Sequence, residues 1–160
     1  MTAAIDRSSA RKSGNYGIAQ TVLLCVFAAA FMFAPGRPLF APGIPAVIGL
    51  VLCAAGLALM VAAFATIRGV IQIAPEPRAG GHLVTGGVYR RLRHPIYTAI
   101  LILAVGLFLR KPTAAVAIAA IVVMVFLIVK SRFEEELLQV RYPEYAEYKT
   151  RTWGVVPFMK

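Results

Sequence analysis

Charged residues are scarce in this sequence of 160 residues: Asp, Glu, Lys and Arg make up 15% of it, whereas 59% of the residues are hydrophobic. Soluble domains are usually about a quarter charged and close to half apolar. A water-soluble globule of this length could not bury so much apolar surface, so lipid is expected to cover part of it. The composition therefore excludes an ordinary soluble domain and predicts an integral membrane protein.

Cysteine and acidic residues are also few. Cys25 and Cys53 both lie inside apolar runs, where a thiol behaves as a small hydrophobic side chain and indicates nothing about redox compartment. Seven acidic residues against 17 Lys and Arg give a formal net charge of +10. Because the basic residues lie in short stretches between apolar runs, and not along one polar face, a nucleic-acid partner is not expected.

Four apolar runs organise the chain, at residues 17–34, 44–67, 96–109 and 113–129. The first, second and fourth are long enough for a hydrocarbon core of roughly 30 Å. The third has to begin near His94 and Pro95, or lie inside the bundle, because its helix is otherwise short. A cleaved signal peptide is disfavoured, since the first run is long and Ala34-Pro35 is a poor cleavage context. We expect an all-α, polytopic membrane bundle of four transmembrane segments, the last two a helical hairpin, followed by a cytoplasmic C-terminal helix.

The distribution of Lys and Arg predicts the orientation. With four crossings, 14 of the 17 basic residues fall on one side, and Arg37, Arg110 and Lys111 fall on the other. The positive-inside rule then places the N-terminus, the 68–94 loop and the C-terminus in the cytoplasm. No internal repeat or low-complexity linker is visible, so residues 1–160 are expected to form one domain. The expected location of this domain is a bacterial inner membrane.

The polar stretch before the third run has the ingredients of a ligand site. Gly86 and Gly87 allow close backbone approach, and Pro95 favours a first helical position, which leaves free amides at the helix start. His82 and His94 are the only histidines, and each can bind a carboxylate or move a proton near neutral pH. A metal is the weaker alternative, because no Cys or Asp accompanies them at ligand spacing. The three arginines of the stretch, Arg90, Arg91 and Arg93, alternatively form a basic collar for anionic lipid headgroups.

A second polar segment follows the fourth run. Five of the seven acidic residues lie in this tail, at positions 134–136, 144 and 147. Consecutive carboxylates are usually a solvated helix face that pairs with nearby Lys and Arg. Beside a cluster of Arg and His at the membrane rim, they could instead bind the hydroxyls, amine or sulfonium of a cationic cofactor.

The stretch from His82 to Tyr97 resembles the signature of the isoprenylcysteine carboxyl methyltransferase and phospholipid methyltransferase superfamily. In that signature a His-Leu-Val-Thr stretch, a Gly-x-Tyr and an Arg-His-Pro-x-Tyr precede a helical hairpin. The Glu134-Glu135 pair and the Tyr-Pro-Glu-Tyr-x-x-Tyr segment at 142–148 are similar to the same superfamily. The resemblance covers roughly residues 70–158, with mild departures at Val88 and Ala99, where many members have Pro and Gly.

This resemblance implies a cofactor, S-adenosyl-L-methionine, which becomes S-adenosyl-L-homocysteine and is enclosed between the loop, the last helices and the tail. Residues 1–67 would then be N-terminal transmembrane helices, and 68–160 the cofactor-binding core. The expected catalytic residues are Arg93, His94 and Glu135, together with Arg151 as a cation that can orient a carboxylate acceptor, and no metal is expected. The implied cofactor-binding residues are His82, Leu83, Val84, Gly87, Tyr89, Arg93, His94, Pro95, Tyr97, Glu134 and Glu135.

The function that we expect is methyl transfer to a lipophilic small-molecule or lipid acceptor, such as an isoprenylcysteine-type carboxylate. A carboxylate needs only a cation such as Arg93 or Arg151 to orient it, whereas an amine also has to lose a proton. The alternatives are a phospholipid N-methyltransferase, an NADPH-dependent sterol-type reductase, and a non-catalytic membrane protein that binds lipid.

Overall fold

A computed structural model describes residues 2–68 and 83–156, and its side chains are described from Lys12 onward. The described part is helical, with one isolated β-bridge and no β-strand. A single 3-10 turn, Gly87–Arg90, precedes the third helix. The helices are α1 (Thr2–Phe33), α2 (Gly43–Arg68), α3 (Pro95–Arg110), α4 (Ala114–Arg141) and α5 (Tyr145–Arg151). The all-α class predicted from the sequence is confirmed.

Within the described ranges, three helical segments are long and apolar enough to cross a membrane: Lys12–Phe33 of α1, all of α2, and α4. The third predicted crossing, α3, has 16 residues and is shorter than these. It begins at Pro95, as its sequence predicted, because proline at a first helical position lacks only an amide that would have no partner there. At about 1.5 Å per residue α3 is roughly 24 Å long. Four crossings therefore stay a prediction.

Contacts between loops show which helix ends lie together. At one end of the bundle the Leu39 amide donates to the Pro112 carbonyl at 2.7 Å, and Lys111 Nζ donates to the Phe31 carbonyl at 2.7 Å. At the other end the 3-10 turn packs against the last turns of α2, where Gly87 lies beside Thr66. The helix α3 thus runs from the second end to the first, and α4 returns.

The closest helix pair is α2 with α3. A Cβ atom on Gly49 would lie 2.5 Å from the Gly106 carbonyl oxygen, and one on Gly106 would lie 2.8 Å from the Gly49 carbonyl oxygen. Gly49, Gly56 and Ala63 are all buried and recur every seven residues, which places them on one face of α2. Small residues let helices approach in lipid, where packing replaces the hydrophobic effect. The small residues on this face of α2 thus permit its close contact with α3.

The helix α4 extends well beyond the apolar run that predicted it. Thr113 is the N-cap and accepts a hydrogen bond from the Val116 amide at 3.4 Å. The helix continues past Val129 to Arg141, because residues 130–141 contain good helix formers such as Lys, Glu, Leu and Gln. The acidic residues at 134–136 therefore stand on the same continuous helix as the apolar run. The N-terminal half of this helix packs with α1 around Phe27, Val123 and Leu127.

Candidate active site

The site lies where the residues just before and within the first turn of α3 meet the polar part of α4. His94 is the N-cap residue of α3, and its carbonyl accepts a hydrogen bond from the Thr98 amide at 3.0 Å. Ser131 and Glu135, four residues apart on α4, are buried on the side that faces this turn. The two polar segments that the sequence separates are therefore adjacent in space.

Arg93 is the structural centre of this cluster. Its Nε donates to Glu135 Oε1 at 2.8 Å, and the two side chains are only 3% and 10% exposed. One terminal nitrogen donates to the Lys149 carbonyl at 3.0 Å and to the Thr152 carbonyl at 2.6 Å. Lys149 Nζ completes the ion pairs of Glu135, at 2.8 Å from Oε2. A planar guanidinium can hold several acceptors at once, so Arg93 ties α4 to the C-terminal tail.

His94 and Tyr97 form the second half of the cluster. Their rings are parallel within 3°, with centroids 5.3 Å apart. The Tyr97 hydroxyl donates to Glu134 Oε1 at 2.7 Å, and His94 Nδ1 lies 3.8 Å from Glu134 Oε2. The other ring nitrogen, Nε2, is 3.3 Å from Glu135 Oε1 but lacks the alignment of a hydrogen bond.

Two buried polar atoms in the described part of the chain have no hydrogen-bond partner: His94 Nε2 and the Tyr145 hydroxyl. A buried polar group without a partner is costly, and such groups often mark the place of a ligand or a water molecule. Burial also raises the pKa of Tyr145, so its hydroxyl remains protonated and able to donate. Both atoms belong to residues close to the carboxylates of α4, and the site has unused hydrogen-bonding capacity there.

The C-terminal tail closes over this cluster. Leu92 and Trp153 form an isolated parallel bridge, in which the Arg93 amide donates to the Trp153 carbonyl at 2.9 Å and the Trp153 amide to the Arg91 carbonyl at 2.9 Å. Thr98 Oγ1 donates to the Val155 carbonyl at 2.6 Å, which attaches the tail to α3 as well.

The short helix α5 is attached in the same way. The Tyr148 hydroxyl donates to the Tyr89 carbonyl at 2.5 Å, and burial raises the pKa of Tyr148 to about 12, which keeps this donor protonated. Tyr145 and Tyr148 are both almost fully buried, with ring centroids 5.8 Å apart. Two tyrosines of the sequence motif at 142–148, Tyr145 and Tyr148, are thus part of the wall of the site.

A cleft of about 200 Å³ opens beside the Arg93 and Glu135 pair. It combines charged side chains with apolar ones, as a site for an amphipathic ligand would. Its lining residues are Arg93, Ile128, Ser131, Arg132, Glu135, Lys149, Gly154, Val155 and Val156. A groove of about 260 Å³ between α1 and α4, lined only by Leu, Val, Ile and Ala, shares no residue with this cleft.

The predicted site residues do not all come together. Arg93, His94, Tyr97, Glu134 and Glu135 form one contact network, and Pro95 begins the helix that carries it. The expected catalytic residue Arg151 is outside the network: its side chain is 64% exposed, and its Nη1 lies 3.5 Å from Glu147 Oε1. His82 lies outside the described residues, so its predicted role is untested.

The loop residues of the prediction have mixed positions. Leu83 and Val84 are half-buried in the segment before the 3-10 turn. Gly87 has a φ of +55°, and a Cβ atom there would lie 2.5 Å from Thr66 Oγ1, so glycine permits the contact between this turn and α2. Tyr89 receives the Tyr148 hydrogen bond on its backbone carbonyl.

Several residues of the network were not predicted: Lys130, Tyr145, Tyr148, Lys149 and Thr152. Lys149 and Thr152 lie outside the sequence motifs. Arg93 donates to the backbone carbonyls of both, and the Lys149 side chain pairs with Glu135. Helical periodicity could have identified Lys130, because it precedes Glu134 by one turn of α4 and can therefore pair with it. The tyrosines at 145 and 148 stood inside the motif already noted and could have been included.

Comparison with known proteins places the chain in a family. The sequence matches the phospholipid methyltransferase family over residues 44–145. Protein-S-isoprenylcysteine O-methyltransferase B of Arabidopsis thaliana is 32% identical over 160 residues, which cover 97% of this chain and 80% of that protein. The A form from the same plant is 40% identical over 94 residues, 55% of this chain and 46% of that protein.

A third relative and a solved structure extend the comparison. The cobalt-zinc-cadmium resistance protein CzcN of Cupriavidus metallidurans is 34% identical over 83 residues, 50% of this chain and 38% of that protein. The structure of a eukaryotic intramembrane Ras methyltransferase, ICMT (isoprenylcysteine carboxyl methyltransferase), is similar with a TM-score of 0.61 and 22% identity, over 91% of this chain and 53% of that one. This chain therefore spans about half the length of the solved enzyme whose fold it shares.

Three observations agree. The polar cluster lies at the ends of apolar helices, the family match covers residues 44–145, and one relative is similar over 97% of this chain. They show that this chain belongs to the phospholipid methyltransferase family of membrane methyltransferases, with isoprenylcysteine O-methyltransferases among its relatives.

Proposed function

We propose that this protein transfers a methyl group from S-adenosyl-L-methionine to the carboxylate of a lipophilic, isoprenylcysteine-type acceptor. The observation that carries the proposal is the position of the His94, Glu134 and Glu135 cluster at the polar end of long apolar helices, beside a cleft that is both charged and apolar. An acceptor with a long apolar tail partitions into lipid. A site at this depth meets such a molecule without extracting it from the membrane.

The residues present fit the cofactor. Glu134 is partly exposed, and its carboxylate can accept from the amine or hydroxyls of a nucleoside-containing ligand. The two unpartnered atoms, His94 Nε2 and the Tyr145 hydroxyl, provide further polar contacts. When bound, the cofactor supplies an electrophilic methyl group on a positively charged sulfur. We propose His94, Tyr97, Glu134 and Glu135 as the residues that hold it. The residues that support them are Leu83, Val84, Gly87 and Tyr89 of the preceding segment and Pro95 at the start of α3.

The chain's own residues favour a carboxylate acceptor. Arg132 lines the cleft and is exposed, so its cation can orient an anionic group there, whereas Lys149, which also lines the cleft, is paired with Glu135. A carboxylate is already a nucleophile and needs no general base, so positioning and exclusion of water are the main requirements. Arg93 has Glu135 and two carbonyls as partners, and we therefore assign it to positioning.

An amine acceptor of the phospholipid type is the second candidate, and one observation favours it. An amine has to lose a proton, and the Glu134 carboxylate is partly exposed at the site. A carboxylate can accept that proton if the amine reaches it. The two candidates differ in the methylated product, an ester or a substituted amine, which mass spectrometry distinguishes directly.

We also propose four membrane crossings, with α3 inside the bundle, and with the N-terminus, the 68–94 loop and the C-terminal tail in the cytoplasm. The contacts of Leu39 with Pro112 and of Gly87 with Thr66, at opposite ends of the bundle, support it. The test is labelling of Leu39→Cys and Thr150→Cys by a membrane-impermeant maleimide, in a background without Cys25 and Cys53. Only Leu39→Cys should react in intact cells, and reaction of both would contradict this topology.

Calorimetry on the detergent-solubilised chain tests the cofactor. We expect S-adenosyl-L-homocysteine to bind, and Glu135→Gln and His94→Ala to lose at least about tenfold in affinity, since a buried charged partner is removed. Glu136→Gln is the matched control, because Glu136 is the exposed neighbour of Glu135. Tight binding of NADPH instead would favour a sterol-type reductase, and binding of neither ligand would contradict enzymatic methyl transfer.

A second experiment identifies the acceptor. Purified protein is incubated with radiolabelled S-adenosyl-L-methionine and a total lipid extract of the host, or with a farnesyl- or geranylgeranyl-cysteine derivative. Base-labile label released as methanol indicates a methyl ester and supports the carboxylate acceptor. Base-stable label in a phospholipid headgroup would favour the amine instead.

A further inference from the structure

The cation nearest to Glu134 lies outside the residues that the family motifs mark. Lys130 stands one turn before Glu134 on α4, and its Nζ is 3.7 Å from Glu134 Oε1. The same nitrogen donates to Gln20 Oε1 of α1 at 2.5 Å and lies 5.2 Å from the centroid of the Tyr97 ring. Its side chain is only 12% exposed. A nearly buried ammonium thus joins α1 to the wall of the site.

We propose that Gln20 and Lys130 are positioning residues: Gln20 orients the Lys130 ammonium, and this charge fixes the Glu134 carboxylate for cofactor binding. The inference rests on the proposed function and adds a contribution from α1 to it. All of α1 precedes residue 44, where the family match begins.

Glu134 needs this cation because it belongs to a run of three carboxylates. Glu135 is neutralised by Arg93 and Lys149, and Glu136 is exposed to solvent. Glu134 accepts from the Tyr97 hydroxyl, and His94 Nδ1 is 3.8 Å away, but Lys130 is the Lys or Arg side chain that pairs with it among the described contacts. Without that charge, the Glu134 carboxylate loses its nearest Lys or Arg partner, and its side chain is freer to rotate away from Tyr97.

Lys130 in turn needs Gln20. A lysine ammonium has three donors on a flexible stem, and a nearly buried one requires fixed acceptors. Gln20 Oε1 provides one at hydrogen-bond distance, which limits the positions that the ammonium can take.

The register of α1 on α4 is fixed by aromatic packing beside this contact. Tyr16 lies four residues before Gln20, and its ring packs on Phe133 at 4.9 Å and on Phe126 at 6.0 Å between centroids. Residues four apart on a helix share a face, as do Phe126, Lys130 and Phe133 on α4. The aromatic contacts therefore bring Gln20 next to Lys130, and the contact is built into the helix pairing.

Affinity for S-adenosyl-L-homocysteine, measured by calorimetry on the full chain in detergent, tests the proposal. We expect Lys130→Met to weaken binding about tenfold or more and Gln20→Met by about three- to tenfold, because hydrogen bonds to charged groups are the strong ones. Lys130→Arg keeps the charge and should stay within about threefold of wild type. The matched control is Lys111→Met: Lys111 also contacts α1, through the Phe31 carbonyl, but at the opposite end of the bundle.

A double-mutant cycle separates positioning from a general loss of structure. If Gln20 acts through Lys130 on Glu134, then Gln20→Met should cause no further loss of affinity in a Glu134→Gln background. The melting temperatures of all variants are measured in parallel, and if Lys130→Met does not fold, Gln20→Met and the cycle decide.

Each result has one meaning. Independent, multiplicative losses in the cycle, or wild-type affinity in Gln20→Met and Lys130→Met, would overturn the inference and leave the proposed function intact. A wild-type chain that does not bind S-adenosyl-L-homocysteine would overturn the proposed function itself.

Discussion

Arg93 and Glu135 are 42 residues apart in the sequence and form a buried ion pair, with Arg93 Nε 2.8 Å from Glu135 Oε1. The pair joins the start of α3 to the polar part of α4. The carbonyls of Lys149 and Thr152 accept from the same guanidinium. One side chain thus holds three separate segments in the arrangement that the site requires.

The first prediction concerns this arginine. Arg93→Met should destabilise the protein by about 3–5 kcal/mol, because it leaves a buried carboxylate without its main partner. Arg91→Met, at an exposed neighbouring arginine, should change stability by less than about 0.5 kcal/mol. Denaturant unfolding in detergent micelles measures both. Equal stability of the two variants would show that the pair contributes nothing.

The second prediction concerns the hydroxyl of Tyr97. Tyr97→Phe keeps the ring that stacks on His94 but removes the donor to Glu134. We expect about a tenfold loss of affinity for S-adenosyl-L-homocysteine, the cost of a hydrogen bond to a charged group. Tyr142→Phe serves as control, since Tyr142 contacts Arg141 and is outside the cluster. Unchanged affinity in Tyr97→Phe would show that the Tyr97 hydroxyl does not orient Glu134 for cofactor binding.

The third prediction tests the loop against α2. Gly87→Ala should destabilise the chain by about 2–3 kcal/mol, since a positive φ costs an L-residue about 1–2 kcal/mol and the new methyl group meets Thr66. Adding Thr66→Ala should recover part of this loss, because it removes the Oγ1 atom 2.5 Å from the new Cβ. The strain of the backbone remains in the double variant. Full recovery, or none, would contradict this division, and thermal unfolding measures it.

The fourth prediction compares two glycines inside helices. Gly49→Ala should destabilise the α2–α3 pair by about 1–3 kcal/mol, because its Cβ would lie 2.5 Å from a backbone oxygen that cannot move independently. Gly17→Ala on α1 meets no atom within 4 Å and should be neutral or stabilising by up to about 1 kcal/mol, from helix propensity. Unfolding of both variants in one detergent makes the comparison direct. Similar effects would mean that the close helix approach is not required.

The fold class and most helix positions could be predicted well, because the apolar runs that become helices are visible in the residue types themselves. The run at 44–67 became α2, Gly43–Arg68, and Pro95 began α3 as expected. The end of α4 was missed, since residues 130–141 are polar and the prediction followed hydrophobicity alone. Helix propensity without an apolar face carries a weaker signal.

The site could be predicted only as far as its motifs reach. Arg93, His94, Tyr97, Glu134 and Glu135 come together as expected, since both motifs flank one pair of connected helices. Arg151 was expected to orient the substrate, but its side chain lies apart from the network. Packing decides which face of a short helix such as α5 meets the site, and the sequence pattern does not show that face. Contacts with backbone carbonyls, such as those of Lys149 and Thr152, leave no trace in residue identity.

The attachment of the tail through Trp153 and Val155 has a consequence for truncated chains. A chain that ends before residue 149 still contains α1 to α4, because α4 ends at Arg141. In such a chain the Arg93 guanidinium has neither the Lys149 nor the Thr152 carbonyl as acceptor, and the bridge between Leu92 and Trp153 cannot form. A C-terminal deletion of this size is therefore expected to keep the apolar helices and to lose the fixed position of Arg93.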